Sequence, residues 1–318
     1  YPLHYRNKVH AAFALDNKKK IVSGIYQPGS HAIVPVDECM IEDKTADVII
    51  VDIRNMLRDF KIQVFDERNG TGWLRHVLVK RGFATNEVMV VLVAVNPIFK
   101  LQKPFVKKLL EMHPEIKTIV LNINDRFGPV VLGTREKVIF GEGYIEDVLL
   151  GHRFRISPRS FYQVNPVQTE KLYSVAMDFA GLSGNETVLD AYCGIGTISL
   201  FLAQKAKKVY GVEIVPAAIE DAKVNAQLNN MNNAEFYVGK AEEVIPSLYN
   251  EQGIRADVMV VDPPRSGCEE VLLRTFMDMA PEKIVYVSCD PATLARDLKA
   301  FSSLGYLPMR VEAVDLFP

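Results

Sequence analysis

A chain of 318 residues, 48% hydrophobic and 24% charged, has the length for two domains and their cores. No apolar run is long enough to span a membrane, and the first residues lack a charged head followed by an apolar core. Cys39, Cys193, Cys268 and Cys289 follow neither a disulfide-like nor a zinc-like spacing, which excludes a stapled secreted scaffold and fits a reducing, cytoplasmic setting. The net charge of −2 argues against a simple nucleic-acid binder, yet residues 1–158 carry +5 and residues 159–318 carry −7. Such asymmetry suits an enzyme with one polyanion-facing region.

In chain order, residues 1–155 are rich in Val, Ile, Thr and Gly. Turn signals stand at Gln27-Pro28-Gly29-Ser30, at Arg68-Asn69-Gly70-Thr71-Gly72 and at Arg126-Phe127-Gly128. The pattern predicts a mostly antiparallel α+β region, with strands at 75–80, 88–95, 118–123, 129–133 and 137–140 and a helix at 100–112. The pattern shifts at Gly151-His152-Arg153-Phe154-Arg155-Ile156-Ser157-Pro158, which sets domains of 1–155 and 156–318. An amphipathic helix is expected at 166–180. From about residue 186 strands and helices alternate with short connections. Strands are predicted at 186–192, 208–213, 234–238, 256–262, 283–288 and 305–314, and helices at 197–206, 215–230, 240–250, 269–280 and 291–303. This is the reading of a doubly wound, mostly parallel sheet, an α/β fold.

The residues suited to chemistry stand at the ends of these strands. Asp190-Ala191-Tyr192-Cys193-Gly194-Ile195-Gly196-Thr197 closes a strand and opens a helix, and its two glycines let a ligand approach the backbone and the helix N-terminus. Glu213 ends the next strand about twenty residues on, where an acid can accept both hydroxyls of a ribose. Asp262 ends the fourth strand, and Pro263 and Pro264 fix the turn after it without backbone donors. Arg265 follows, able to hold a phosphate or carboxylate or to sit in solvent. Cys289 lies between an apolar strand and a helix start, where Asp290 can cap, Pro291 suits the first helical position and the helix's positive end favours a thiolate. A lone cysteine is more often a buried packing residue, and its company of strand-end motifs is what singles this one out.

Four ordered motifs resemble the RNA uracil-5-methyltransferase family of class I S-adenosylmethionine-dependent enzymes. They are Ser160-Phe161-Tyr162-Gln163-Val164-Asn165-Pro166, the Asp190 to Thr197 run, Asp262-Pro263-Pro264-Arg265 and Ser288-Cys289-Asp290-Pro291, with His4-Tyr5-Arg6-Asn7-Lys8 extending the likeness. The resemblance implies a Rossmann-like methyltransferase domain preceded by the antiparallel region, with S-adenosyl-L-methionine as cofactor. It places Gln163, Tyr192, Gly194, Glu213 and Asp262 at the cofactor, Phe161, Asp262 and Arg265 at the base pocket, and Cys289 as nucleophile, with no metal in the reaction. The thiolate adds to carbon 6 of uracil so that carbon 5 can take the methyl group. RNA is the implied partner. The Asp-Ala-Tyr-Cys-Gly-Ile-Gly-Thr wording and Cys39 resemble the 23S ribosomal branch, with transfer RNA as the alternative target. Two other readings stay open: a methyltransferase acting on an exocyclic amine, and a non-catalytic RNA-binding fragment. A monomer is expected.

The likeness also implies parts that this sequence does not contain. The family's base is a glutamate in a His-Val-Glu motif shortly after Asp-x-Phe-Pro, and here Asp315-Leu316-Phe317-Pro318 ends the sequence, so the base is expected after Pro318 and Glu312 is not assigned to it. Relatives in that family usually begin with a small β-barrel domain, often followed by three cysteines that hold an iron–sulfur cluster with a fourth further on; neither stands in this sequence, so Cys39 is read either as an orphaned cluster ligand or as a simple buried residue. Eleven basic residues are candidates for an RNA-facing surface if they cluster: Arg6, Lys8, Lys18, Lys19, Lys20, Arg75, Lys80, Arg81, Arg153, Arg155 and Arg159.

Overall fold

The structure is a computed structural model that describes every residue except Tyr1, His31, Phe127 and Pro129. Its first half is built from β1 (Lys8–Leu15), β2 (Ile21–Tyr26), β3 (Ile33–Pro35), α1 (Lys44–Asp59), β4 (Leu74–Arg81), β5 (Val88–Ala94), α2 (Gln102–Met112), β6 (Ile116–Ile123) and β7 (Arg135–Phe140). The strands form one sheet in the order β3-β2-β1-β4-β5-β6-β7, antiparallel except where α2 carries the chain from β5 to a parallel β6. Strand alternation sends successive side chains to opposite faces. Val77, Val79, Val90, Leu92, Ile119 and Leu121 therefore pack on one side with Ile49, Ile53, Phe105 and Leu109 of α1 and α2. Leu78, Met89, Val91 and Val120 pack on the other side with residues of the second half. All seven residues of β5 are buried as a result.

A hairpin of β8 (Ile145–Leu149) and β9 (His152–Ile156) leads into α3 (Pro166–Ala180). There follow β10 (Thr187–Ala191), α4 (Thr197–Ala203), β11 (Lys208–Glu213), α5 (Pro216–Leu228), β12 (Ala234–Val238), α6 (Ala241–Asn250), β13 (Val258–Val261), α7 (Glu270–Met279), β14 (Lys283–Tyr286) and α8 (Pro291–Ser303). The five strands are all parallel, in the order β12-β11-β10-β13-β14. Val188, Val209, Val258 and Val260 bury one face against α3, α4 and α5. Leu189, Val212, Met259 and Val261 bury the other against α6, α7 and Phe301 of α8. The predicted doubly wound sheet is thus present. From β10 the chain winds one way through β11 to β12 and then returns to the far side of β10 for β13, so a crevice opens at the carboxyl ends of β10, β11 and β13.

Four details differ from the sequence reading. The segment 305–314 forms no strand. Leu307, Met309 and Val311 are exposed, and Arg310 instead ion-pairs with Asp178 at 2.9 Å and lies 4.4 Å from the Phe179 ring centroid at the end of α3. An apolar alternation becomes a strand only where a ladder partner accepts it. Residues 130–133 are also not a strand, because the side chains of Asn122 and Asn124 on and beside β6 take the carbonyls of Val130, Val131 and Gly133; Phe127 and Pro129, part of the predicted turn and strand, lie outside the described residues. Strands β1, β2, β3, β8 and β9 were not foreseen. Nor was α1, whose Val48-Ile49-Ile50-Val51 reads locally as strand; the Asp43 carboxylate accepts the Ala46 N–H at 3.1 Å, and Ala46, Ile49, Ile50, Ile53, Met56 and Leu57 fall on one helical face.

Candidate active site at the switch of the parallel sheet

At the end of β10 the backbone turns sharply. Tyr192 (φ 68°) and Gly194 (φ 56°) both lie in the left-handed region, and Gly196 (φ 81°) caps α4. The Cys193 N–H donates to the Val212 carbonyl at 2.9 Å, tying this turn to β11. Glu213 lies across it. One of its oxygens accepts the Gly194 N–H at 3.2 Å and the other the Val215 N–H at 2.9 Å. Each oxygen keeps a further lone pair for a ligand hydroxyl. A β-carbon added to Gly194 would meet no atom within 4 Å, so this stretch of backbone faces open space.

Below the turn, the Asp190 carboxyl is fully buried. Its Oδ2 accepts the Ser199 hydroxyl at 2.5 Å, while Oδ1 has no hydrogen-bond partner among the described residues. Burial, reinforced by the charges of Asp262 and Glu213, pushes Asp190 up to about 7. Burial alone pushes Asp262 up to about 7 as well. Tyr173 of α3, fully buried, shares the site: its hydroxyl is 3.4 Å from the Thr197 hydroxyl, it hydrogen-bonds the Gln163 side chain, and burial with the nearby Asp262 raises it. Gln163 is brought to the crevice through this contact. The Tyr192 hydroxyl donates to Glu242 of α6 at 2.6 Å, which locks the ring at the rim.

Cys289 is exposed. The Val287 N–H donates to the Val261 carbonyl at 2.8 Å, so the loop after β14 continues beside the end of β13 and Asp262. Asp290 caps α8 as expected, accepting the N–H groups of Ala292 and Thr293 at 2.9 and 3.0 Å, and these backbone bonds hold its carboxyl below the usual range. The exposed Arg265 is among the charges acting on Asp290 and so faces the loop of the thiol. Phe161 is 61% exposed, with the Lys8 ammonium 5.9 Å from its ring centroid. By contrast the other three cysteines lie apart from this exposed loop: burial raises the thiols of Cys193 and Cys268, and Cys39 donates its N–H to Asp47 at 2.9 Å.

Two of the eleven candidate basic residues are withdrawn from the surface, and three more take local partners. Arg75 and Lys80 are buried, the former paired with Glu67 at 2.6 Å and the latter hydrogen-bonded to backbone carbonyls. Arg81 is held by Asp43 and Asn86, Arg153 by Glu146, and Arg155 lies 4.0 Å over the Tyr144 ring. Lys18, Lys19 and Lys20 sit at an exposed turn between β1 and β2, and Arg6, Lys8 and Arg159 also retain solvent contact. Sequence reading missed Tyr173, Ser199 and Glu242. All three lie inside helices, α3, α4 and α6, where no strand-end motif marks them, and their contacts are facts of packing.

Comparison with known proteins identifies the family of the chain. The family model for tRNA (Uracil-5-)-methyltransferase matches residues 40–318. An "uncharacterized RNA methyltransferase" of Halalkalibacterium halodurans is 49% identical over 317 residues, 100% of this chain and 69% of that protein. A relative of the same description from Clostridium tetani is 49% identical over 316 residues, 99% of this chain and 68% of its own length. Among solved structures, the Pyrococcus abyssi tRNA (uracil-54, C5)-methyltransferase in complex with S-adenosyl-L-homocysteine superposes with a TM-score of 0.77 at 28% identity, covering 94% of this chain and 70% of that one. With a match along most of its length and half-identical relatives along all of it, the chain belongs to the tRNA (uracil-5-)-methyltransferase family.

Proposed function

We propose that this chain transfers a methyl group from S-adenosyl-L-methionine to carbon 5 of a uridine in RNA, with Cys289 as the nucleophile. The observation that carries the reading is the crevice: three carboxyls, Asp190, Glu213 and Asp262, converge at the ends of β10, β11 and β13, beside an exposed thiol at the end of β14. Two of those carboxyls are pushed up to about 7, and one has an oxygen without a partner. A cationic ligand fits such a set, because positive charge lowers the cost of ionising buried acids. The open backbone at Gly194 suits the same ligand.

When bound, the cofactor supplies an electrophilic methyl group on a sulfonium. Glu213 receives the ribose hydroxyls, the Tyr192 ring flanks the crevice, and Gln163 with Asp262 orients the ligand's polar groups. Phe161 stacks on the target base, Asp262 faces it, and Arg265 meets a phosphate near it. The Cys289 thiolate adds to carbon 6, which makes carbon 5 nucleophilic; carbon 5 takes the methyl group, loses its proton to a base, and the thiolate leaves. Glu312 is exposed in the segment after α8 and is not assigned as that base.

Large-subunit ribosomal RNA is our proposed substrate, on the wording of the Asp190 to Thr197 motif, and the chain is proposed to act as a monomer. Transfer RNA is the second reading, favoured by the activity named for the Pyrococcus abyssi neighbour. Incubation with methyl-labelled cofactor and either 23S ribosomal or transfer RNA, followed by nucleoside digestion, separates the two. Label is expected in 5-methyluridine from ribosomal RNA; label only on an exocyclic amine, or none with either RNA, would overturn the reading.

A further inference from the structure

One buried cation takes no part in the chemistry above. Lys80 of β4 is 5% exposed, and its ammonium donates to the carbonyls of Ser157 and Ser160, each at 2.8 Å. These two residues bracket a turn in which the Ser160 N–H returns to the Ser157 carbonyl at 3.3 Å. The same turn is also gripped through its side chains. Asp221 of α5 accepts the Ser157 hydroxyl at 2.8 Å and the Ser160 hydroxyl at 2.5 Å. Lys80 thus holds the turn's backbone from the first sheet, while Asp221 holds its side chains from the second half.

Phe161 follows this turn directly, and Gln163 lies two residues further. Their segment is docked a second time by Asn7, whose side chain donates to the Gln163 carbonyl at 3.0 Å and whose N–H donates to the Val164 carbonyl at 2.9 Å. Lys8 and Lys80 stand directly opposite each other on β1 and β4. Like charges so placed repel, yet both point into this segment, Lys80 to the turn and Lys8 to within 5.9 Å of the Phe161 ring centroid. Burial, with the charge of Lys8, pulls Lys80 down to about 7. A neutral amine still carries two N–H donors for two carbonyls, so the grip survives loss of the charge.

We propose that Lys80 is a positioning residue for base capture: it fixes the Ser157–Ser160 turn so that the exposed Phe161 ring is aimed at the target uridine. The inference rests on the function proposed above, in which Phe161 meets the base. It also explains why a lysine is kept where an apolar side chain would be cheaper to bury: no apolar residue can satisfy two inward-facing carbonyls.

The test is Lys80→Met, close in shape and without donors, compared with Phe161→Ala and the double variant. Expected is a loss of about tenfold to a hundredfold in kcat/KM for RNA, the scale on which misplaced groups act. Cofactor affinity should stay within about twofold, and the double variant should be no more than about twofold worse than Phe161→Ala alone. Additive losses would show that Lys80 acts elsewhere, and unchanged RNA kinetics would overturn the proposal. Should the methionine variant fail to fold, Asp221→Asn loosens the same turn from α5 and must give the same split between RNA and cofactor. Hydrogen exchange of residues 157–164 is the readout that needs no activity. If the wild type methylates no RNA, the functional reading fails, and faster exchange confined to this segment in the variant still supports the grip, whereas unchanged exchange refutes it.

Discussion

Replacing Asp190 by asparagine should make the free protein more stable and a poorer binder of its cofactor, two effects that ordinary core damage does not combine. The side chain is fully buried, and its carboxyl is pushed from an ordinary 3.8 up to about 7. Below pH 3.8 the group is protonated whether the chain is folded or not. As pH rises from there to about 7, the unfolded chain ionises freely while the folded chain does not, so the stability it contributes at low pH is lost across that window and levels off above it. At about 1.4 kcal/mol per pH unit the full effect is about 4 kcal/mol. Asparagine recovers less, because its amide N–H groups face the position where Oδ1 lacks a partner, a cost of about 1–3 kcal/mol. The net gain is about 1–3 kcal/mol at alkaline pH, or a few degrees in Tm. Without the charge, the cofactor should bind about tenfold to a hundredfold more weakly, the worth of one charge-assisted hydrogen bond. Thermal melts of both proteins from pH 4 to pH 8.5, with calorimetric titration at the upper end, measure both quantities. A stability gap that stays constant with pH, or an unchanged affinity, would refute the placement of a strained acid in the binding crevice.

Cys289→Ala should abolish methylation and the denaturation-resistant adduct with 5-fluorouridine RNA while leaving cofactor affinity within about twofold, since the thiol and Glu213 stand at the ends of different strands; an adduct in the variant would place the nucleophile elsewhere. Glu213→Ala should weaken cofactor binding about tenfold or more through lost charge-assisted hydrogen bonds, and equal affinity by calorimetry would remove Glu213 from the site. Because Asp190 and Asp262 are both held up at about 7, binding of a cation near pH 6.5 should expel protons. Titrations in phosphate and in Tris at that pH should then give different apparent enthalpies, more exothermic in Tris, and equal values would contradict the charge reading.

The second half was legible because three of its four motifs follow the end of a strand. Glu213, Asp262 and Cys289 stand where β11, β13 and β14 stop, so sequence position carried spatial meaning. The first half was harder to read. Val48-Ile49-Ile50-Val51 has the composition of a strand, and only packing against β1, β2 and β4 makes it α1. Leu307, Met309 and Val311 alternate as a strand should, but alternation states only which residues share a face, not whether a neighbour exists to pair with it. The reassignment of Lys80 and Arg75 from surface to interior is the plainest case. A lysine that reaches a turn 77 residues away has no one-dimensional signature, since its partners are main-chain carbonyls that every residue possesses.

The docking of Asn7 on Val164 has a consequence for the order in which the molecule can form. This contact closes a loop of roughly half the chain, 156 residues for the neighbouring bond to Gln163. A growing polypeptide can pair β1 with β2 and β4 soon after they exist, yet the Asn7 side chain and N–H lack their partners until the segment carrying Phe161 has been made. The Lys80 ammonium waits likewise for Ser157. Long closures of this kind are slow to form and are rewarded only once both ends are in place. The seam beneath Phe161 therefore waits for more of the chain than the strand pairs of the first sheet do, and its contacts to Asp221 wait longer still, until α5 has been made.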